Sequence, residues 1–346
     1  MNVPEFFSLD IGNHSIKVAQ VKREKNDTAK LLHVGAVNAD LGMLEAPGDD
    51  ALAKIAEQLK QAKDAAGIRT NNCVAAVPET PIFSRLLSIP KVDNTEVEEA
   101  VHWELKPLIP VPLEDVDVAF MEIGEAKKGE QTFVDMYVVA APKVLTTRYK
   151  RLAQLAGLNL LALETESLAN TRAVTFNHPT EKDILIFDFG AFSTDLIIAR
   201  DGVPVFAQSI STGSDALTKA VAADYGLGMQ EAEKYKRAYG IDFKLGDGKV
   251  AKSIEPIMQI IINEMSRTFT YFKERVGETG ANKIYLCGEA AKLPGLSDYF
   301  TQKFGLTSIL VDPVARITMD DTTRKELEQL SPVGFSVAIG LALKDA

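Results

Sequence analysis

The sequence predicts an α/β protein of two related lobes, and three observations carry that prediction. An apolar strand, an aspartate, a glycine turn and a returning strand occur twice. The first copy is Phe6-Phe7-Ser8-Leu9-Asp10-Ile11-Gly12-Asn13-His14-Ser15-Ile16-Lys17-Val18, and the second is Ile184-Leu185-Ile186-Phe187-Asp188-Phe189-Gly190-Ala191-Phe192-Ser193-Thr194-Asp195-Leu196-Ile197-Ile198. Each copy reads as a β-hairpin. Strands also mix with helices along the rest of the chain, and the length of 346 residues suits two domains or one bilobal unit. The repetition implies two half-molecules facing each other, with a carboxylate at the tip of each hairpin.

After the first hairpin, Leu31 to Val37 alternates as a strand, and a helix near Asp50 to Ala66 stops at Gly67. Val74-Ala75-Ala76-Val77 reads as a short buried strand. From Pro78 to about Leu160 the texture changes. Strands are expected at Phe83 to Ile89, Val116 to Ile123 and Thr132 to Ala140, with two helices and a proline-rich stretch at Pro107, Pro110 and Pro112. Thr95-Glu96-Val97-Glu98 reads as a capping box. It starts a helix on which Val97, Ala100, Val101, Leu105 and Leu108 form one apolar stripe. Trp103, the only tryptophan, falls beside that stripe. Either it packs on the segment's own sheet or it anchors a partner. The whole stretch reads as a small α/β module inserted into the first half.

The second half starts at Asp183. Two hairpins run from Ile184 to Gln208, joined at the tight-turn pair Asp201-Gly202. Helices follow at Ser214 to Tyr225, ended by Gly226, and at Met229 to Tyr239, ended by Gly240. A long helix from about Ser253 to Val276 carries Ile254, Ile257, Ile261, Met265, Phe272 and Val276 at helical spacing. The strand Lys283 to Cys287 passes through Gly288 to a helix after Pro294-Gly295. A last helix, from about Pro332 to Leu343, carries Phe335, Ala338, Ile339 and Ala342.

Bulk properties exclude several function classes. Hydrophobic residues at 46% and charged residues at 25% suit a globular chain with a full core. A formal charge of -10 argues against a broad nucleic-acid surface. Cys73 and Cys287 match no metal or redox spacing and read as reduced core thiols. No apolar run is long enough to span a bilayer, and no basic segment precedes the first strand. The expectation is a cytoplasmic protein with no membrane anchor of its own.

The paired hairpins suit a nucleotide. Turn N–H groups can cradle phosphates, the aspartates can hold a hydrated divalent cation, and Lys17 can reach a phosphate as a point charge. An aspartate at a strand end is by itself most often a turn residue; the matched pair reverses that reading. Leu286-Cys287-Gly288 to Leu293-Pro294-Gly295-Leu296 is a strand, a loop and a helix start, where backbone donors can meet an anion. Glu233 and Lys236, at i,i+3 spacing, either bracket a ribose and base or form a solvated helical salt bridge.

In this order of elements the chain resembles the actin-like ATPase superfamily of actin, sugar kinases, heat-shock chaperones, MreB and FtsA. Within it the chain is most similar to the PilM branch, cytoplasmic actin-like proteins of type IV pilus assembly. The specific marks are Val101-His102-Trp103-Glu104 with Leu108-Ile109-Pro110-Val111-Pro112, Glu164-Thr165-Glu166-Ser167-Leu168-Ala169, and the closing Val337-Ala338-Ile339-Gly340-Leu341-Ala342-Leu343. The resemblance implies an actin-like, ribonuclease H-like two-lobed fold with an inserted FtsA-type α/β subdomain. Residues 1–77, 161–182 and 313–346 would form the first lobe and 78–160 the insert. Residues 183–312 would form the second lobe, with 229–282 as its helical subdomain.

The resemblance also implies ATP and magnesium as ligands. By position, Asp10, Gly12, Asn13, Ser15 and Lys17 match the first phosphate loop, and Asp188, Gly190, Ser193 and Thr194 the second. Gly213 lies just beyond the following strand, Glu233 and Lys236 match the adenosine-side helix, and Gly288 the adenosine loop. Asp10 and Asp188 would hold magnesium through water. Glu166 matches the carboxylate that positions the attacking water in hydrolysing relatives; its other reading is a charge at a helix start. The implied role is a scaffold recruited to the inner face of the cytoplasmic membrane by the N-terminal peptide of a PilN-like membrane protein, alongside other proteins of the pilus inner-membrane complex. Trp103, Pro110 and Pro112 are the candidates near that surface. Filament formation belongs to the superfamily, but no sequence feature decides self-association here.

Departures from the superfamily pattern limit the expected chemistry. Ala191 and Phe192 replace loop glycines, Gly288-Glu289-Ala290 replaces a triple glycine, and Asn13-His14 stands where small serines are usual. Lost glycines restrict close backbone approach to phosphate, and Glu289 adds a like charge. The expectation is binding with slow or absent hydrolysis. An FtsA-like division protein is disfavoured because the chain stops at Lys344-Asp345-Ala346 after an Ala- and Gly-rich helix unlike an interfacial one. A small-molecule phosphotransferase needs a catalytic base in the cleft, and no further cleft carboxylate is evident from the sequence.

Overall fold

The computed structural model describes residues 4–24, 28–39, 48–275 and 280–344; Val276, Asp345 and Ala346 lie outside the described residues. The first lobe opens with β1 (Phe7–Ile11), β2 (Ser15–Arg23) and β3 (Ala29–Asn38), then α1 (Asp49–Ala65) and β4 (Asn72–Val77). An excursion follows through β5 (Phe83–Pro90), α2 (Val97–Leu105), β6 (Val116–Lys128), β7 (Gln131–Pro142) and α3 (Lys143–Ala156). The chain returns in β8 (Asn159–Thr165) and α4 (Glu166–Asn177).

The second lobe holds β9 (Asp183–Phe189), β10 (Thr194–Arg200), β11 (Val203–Ile210), α5 (Ser214–Tyr225), α6 (Met229–Tyr239) and α7 (Lys249–Arg275). It ends with β12 (Lys283–Cys287), α8 (Leu296–Phe304) and β13 (Thr307–Leu310). β14 (Ile317–Thr318), α9 (Asp321–Leu330) and α10 (Ser336–Ala342) lead back to the first sheet.

The strands make a six-stranded sheet ordered β14-β3-β2-β1-β4-β8, a five-stranded sheet β11-β10-β9-β12-β13 and a three-stranded sheet β5-β7-β6. Each large sheet is built around an antiparallel hairpin, β1 with β2 and β10 with β9, flanked by a parallel strand. Parallel neighbours must be covered on both faces, so β9 reads as an almost continuous apolar run and every residue of β1 is buried, Ser8 and Asp10 included. Leu9 and Ile11 join a core that takes Ile55 and Leu59 from α1 and Tyr149 and Leu152 from α3. Phe187 and Phe189 join another with Leu217 of α5, Met258 of α7 and Phe300 of α8. α3 falls in the stretch assigned to the insert, yet its buried face packs on the first lobe.

The crossover helix α4 is buried between the lobes and packs on α10. A Cβ at Gly340 would sit 1.9 Å from the Ala169 carbonyl oxygen, so glycine sets how closely these helices approach. In the insert, α2 covers one face of the small sheet through Val101 and Leu105, against Leu87, Met136 and Val138. The expected capping box does not form. α2 begins at Val97 with no side-chain cap, and the Glu96 N–H is already taken by the Asp93 carbonyl at 2.8 Å. Leu108 falls beyond the helix and is exposed.

Candidate functional site

The two hairpin turns have the same local geometry. Gly12 N–H donates to the Ser15 carbonyl at 3.0 Å, and Gly190 N–H to the Ser193 carbonyl at 3.0 Å. Between the lobes lies a cavity of about 870 Å³ into which both turns project. It gathers Asp10, Gly12, Asn13, Ser15 and Lys17 from one lobe, Asp188, Gly190, Ser193, Glu233, Lys236 and Gly288 from the other, and Glu166 from the crossover. Two expected residues do not line it. Thr194 is fully buried and donates from Oγ1 to the Thr212 carbonyl at 2.7 Å. Gly213 lies beneath the second loop, where a Cβ would stand 2.4 Å from the Ala191 carbonyl oxygen. Both therefore shape the loop from behind.

Seven acidic residues line the cavity, and four of them, Asp10, Asp188, Asp195 and Glu166, come from the two hairpins and the crossover. Asp195 was not singled out from the sequence, and it corrects the expectation that the cleft holds no further carboxylate. It is buried, accepts a hydrogen bond from Ser209, and its Oδ1 has no hydrogen-bond partner. Burial, then the charges of Asp188 and Glu79, push its pKa well above the ordinary range. Burial raises Glu166 as strongly, with Asp195, Asp10 and Asp188 adding to it. Asp10 is raised by burial and held back by Lys17, whose Nζ lies 3.6 Å from Oδ2. Asp188 is raised by burial and held back by Asn170, whose Nδ2 donates to it at 2.6 Å. The sequence signal for Asp195 was present: an acidic residue second in a strand whose next four positions are apolar or small.

On the side expected to face adenosine, Lys236 is almost fully buried and already engaged. Its Nζ donates to the Ser214 Oγ at 3.0 Å and the Thr218 Oγ1 at 2.9 Å, and pairs with Glu233 at 2.7 Å. Burial raises the pKa of Glu233, but bonds from Lys236, Thr218 and Arg237 outweigh it and hold the carboxyl low. The pair is thus neither a simple solvated bridge nor two free groups. It braces the start of α5 against α6, leaving Glu233 at the cavity wall. Gly288 has φ of 83°, and a Cβ there would lie 2.5 Å from Asp188 Oδ1, so this loop needs glycine on both counts. Glu289 is tempered by Lys292 at 3.6 Å and Arg237 at 3.8 Å.

At the mouth, the large residues of the two turns meet. His14 Nε2 lies 2.9 Å from Asp215 Oδ2, and its ring is 5.7 Å from that of Phe192. Phe192 therefore turns outward and does not fill the cavity. In the insert, Trp103 is 79% exposed, so it does not pack on the insert's own sheet. A shallow hollow beside it is lined by Val92, Glu96, Glu99 and Ala100, without Pro110 or Pro112.

Residues 8–346 match the family described as type IV pilus assembly protein PilM. The chain belongs to that family. It is also 24% identical over 229 residues to the cell division protein FtsA of Borreliella burgdorferi, covering 60% of this chain and 54% of that protein. Similarity to the ethanolamine utilization protein EutJ of Escherichia coli is 20% over 119 residues, 34% of this chain and 38% of that one. The matches thus span about half or less of these curated relatives. Among solved structures, a PilM-PilN type IV pilus biogenesis complex aligns with a TM-score of 0.84 and 27% identity over 98% of both chains. MreB 5 of Spiroplasma citri bound to AMPPNP aligns with a TM-score of 0.53 and 15% identity over 98% of this chain and 95% of that one. The fold is actin-like, as the resemblance implied. Among the described residues, no helix is long and apolar enough to cross a membrane.

Proposed function

We propose that the chain is a nucleotide-binding scaffold of type IV pilus assembly that holds ATP with magnesium in the inter-lobe cleft. The observation that carries this is the facing pair of glycine turns, each closed by the same 3.0 Å hydrogen bond over a carboxylate-lined cavity. The MreB 5 relative is bound to AMPPNP, which agrees with the reading. The residues also fit the ligand, because the unpartnered Asp195 Oδ1 and the excess of carboxylates call for a cation. Asp10 and Asp188 would hold magnesium through water, and the ion would neutralise phosphate charge. Lys17 would meet a phosphate oxygen, and Glu233 the ribose. Among the described residues no three His, Cys, Asp or Glu side chains converge on a metal position; water and phosphate oxygens would complete the shell.

Glu166 would orient an attacking water, but its burial and the neighbouring carboxylates raise its pKa and so disfavour the ionised form that a base needs. That favours a binding protein with slow hydrolysis at most. The scaffold role would place the chain in the cytoplasm, at the inner face of the membrane, holding the N-terminal peptide of a PilN-like protein and neighbouring pilus components. The pilus complex found among solved structures contains PilN, and the exposed Trp103 offers an anchor, with Pro110 and Pro112 further along the insert. Calorimetric titration with magnesium and ATP, repeated on Asp10→Ala and Asp188→Ala, tests the nucleotide site. Wild-type binding lost in both variants is expected; no wild-type binding, or two variants that bind like wild type, overturns it. A pulldown with the PilN N-terminal peptide, on wild type and Trp103→Ala, tests the partner reading, which high-micromolar failure of wild type would end.

A further inference from the structure

The first two residues of the insert after Pro78 contact residues next to the cleft carboxylates. Glu79 is buried at the root of the insert and is not among the residues lining the cavity. Its Oε2 accepts the Ser167 N–H at 3.3 Å, and its Oε1 accepts the Ser84 hydroxyl at 3.4 Å. Ser167 immediately follows Glu166 at the start of α4, so this contact fixes the first turn that carries the crossover carboxylate. Tyr137 of β7 closes on the same point, its hydroxyl 3.5 Å from Ser167 Oγ.

The next residue reaches the other lobe. Thr80 Oγ1 lies 3.0 Å from Ser209 Oγ on β11. Ser209 stands across from Asp195 in the β10–β11 register and hydrogen-bonds its carboxylate. The two hydroxyls share one hydrogen bond, in which either can donate. Adjacent insert residues thus end, one contact removed, on two cleft carboxylates from different parts of the fold. Nothing in local folding requires this, since β5 begins only at Phe83.

We propose that Glu79 and Thr80 are positioning residues for the nucleotide cleft, setting the Glu166 and Asp195 carboxylates through Ser167 and Ser209. The inference rests on the nucleotide reading above. It makes the insert a structural part of the nucleotide site, not only a platform for partners.

The test is titration of the full chain with magnesium and ADP, for wild type, Thr80→Val, Thr80→Ser and Glu79→Gln. Thr80→Val keeps the shape and removes the hydroxyl; affinity should fall about threefold to tenfold, the worth of one hydrogen bond. Thr80→Ser restores the hydroxyl and should bind like wild type. Glu79→Gln keeps the shape but weakens the acceptor of the Ser167 N–H, and it should lower affinity by a similar factor. If Thr80→Val and Glu79→Gln keep the wild-type affinity, the positioning role is overturned while the nucleotide site stands. A wild type that binds no ADP removes the nucleotide reading, and this inference with it.

Discussion

In the β1–β2 hairpin the residue across from Asp10 is Lys17; in the β9–β10 hairpin the residue across from Asp188 is Asp195. The two turns share a backbone, down to the hydrogen bond that closes each, yet opposite charges occupy the matching cross-strand position. The first hairpin balances its own aspartate. The second sets two carboxylates face to face, with the neutral Asn170 and Ser209 as their hydrogen-bond partners and Lys17 acting on Asp188 from the other lobe. Directly opposed like charges destabilise a strand pair, so the second hairpin holds an electrostatic cost that a cation would remove. In the proposed nucleotide site the repeat would supply the cradle and the difference the roles: one lobe carries a lysine of its own, and the other would take a bound cation.

Breaking the balanced hairpin should have the largest effect. Lys17→Met keeps the side-chain stem but strands the Asp10 carboxylate, which is 4% exposed. Removing one partner of a largely buried pair costs about 3 kcal/mol, read as a fall in the denaturant midpoint. The loss should shrink in acid, where Asp10 takes up a proton. An unchanged midpoint at neutral pH would mean that Asp10 does not need the lysine and that the two hairpins are electrostatically alike.

Relieving the unbalanced hairpin should act in the opposite direction. Asp195→Asn keeps the shape and removes one of the facing charges, so the nucleotide-free protein should gain roughly 0.5–1 kcal/mol. The same change should weaken magnesium–nucleotide binding severalfold in calorimetry. Stabilisation paired with weaker binding is the signature of a site strained for a ligand. A variant that is less stable and binds normally would show Asp195 to be a structural residue.

The pH dependence of that gain follows from the raised pKa of Asp195. The folded protein holds this proton more tightly than the unfolded chain, whose value is the ordinary 3.8. Below it both states are protonated, and the wild type suffers no penalty. As pH rises through the folded value, the wild type loses stability that the asparagine variant keeps. The difference in melting temperature should therefore be near zero around pH 4 and widen toward neutrality. A difference constant with pH would remove charge as its cause.

Much of the fold was legible because its signals are local. The strand–turn–strand repeats, the stops at Gly226 and Gly240, and the turn at Asp201-Gly202, where both residues have positive φ, each declare themselves within a few residues. α9 was missed although it begins on a visible cap, Asp320 accepting the Thr323 N–H at 2.8 Å. The two-residue β14 has no pattern to read; it exists because β3 offers it an edge. For the site, the loop residues were readable, but the place of Asp195 in the cleft and the outward turn of Phe192 were not. Both depend on what the other lobe or a neighbouring strand places beside them. The capping box at Thr95 failed for the reverse reason, a local motif displaced by a tighter local turn.

The smallest expected effect lies where the two hairpins touch. His14 and Asp215 meet at 2.9 Å across the mouth of the cleft, but the histidine side chain is 61% exposed. Water competes for such a contact, so His14→Ala should cost the folded protein about 0.5 kcal/mol or less. Its kinetic effect should be larger than its thermodynamic one. The bridge and the His14–Phe192 ring contact join loops of different lobes, and a nucleotide leaving the cleft must part them. Stopped-flow displacement of a fluorescent ADP should show faster release from His14→Ala, with the melting temperature almost unchanged. Equal release rates would show that the two turns meet without restraining each other, leaving the charge on the facing strands as the only functional difference between the hairpins.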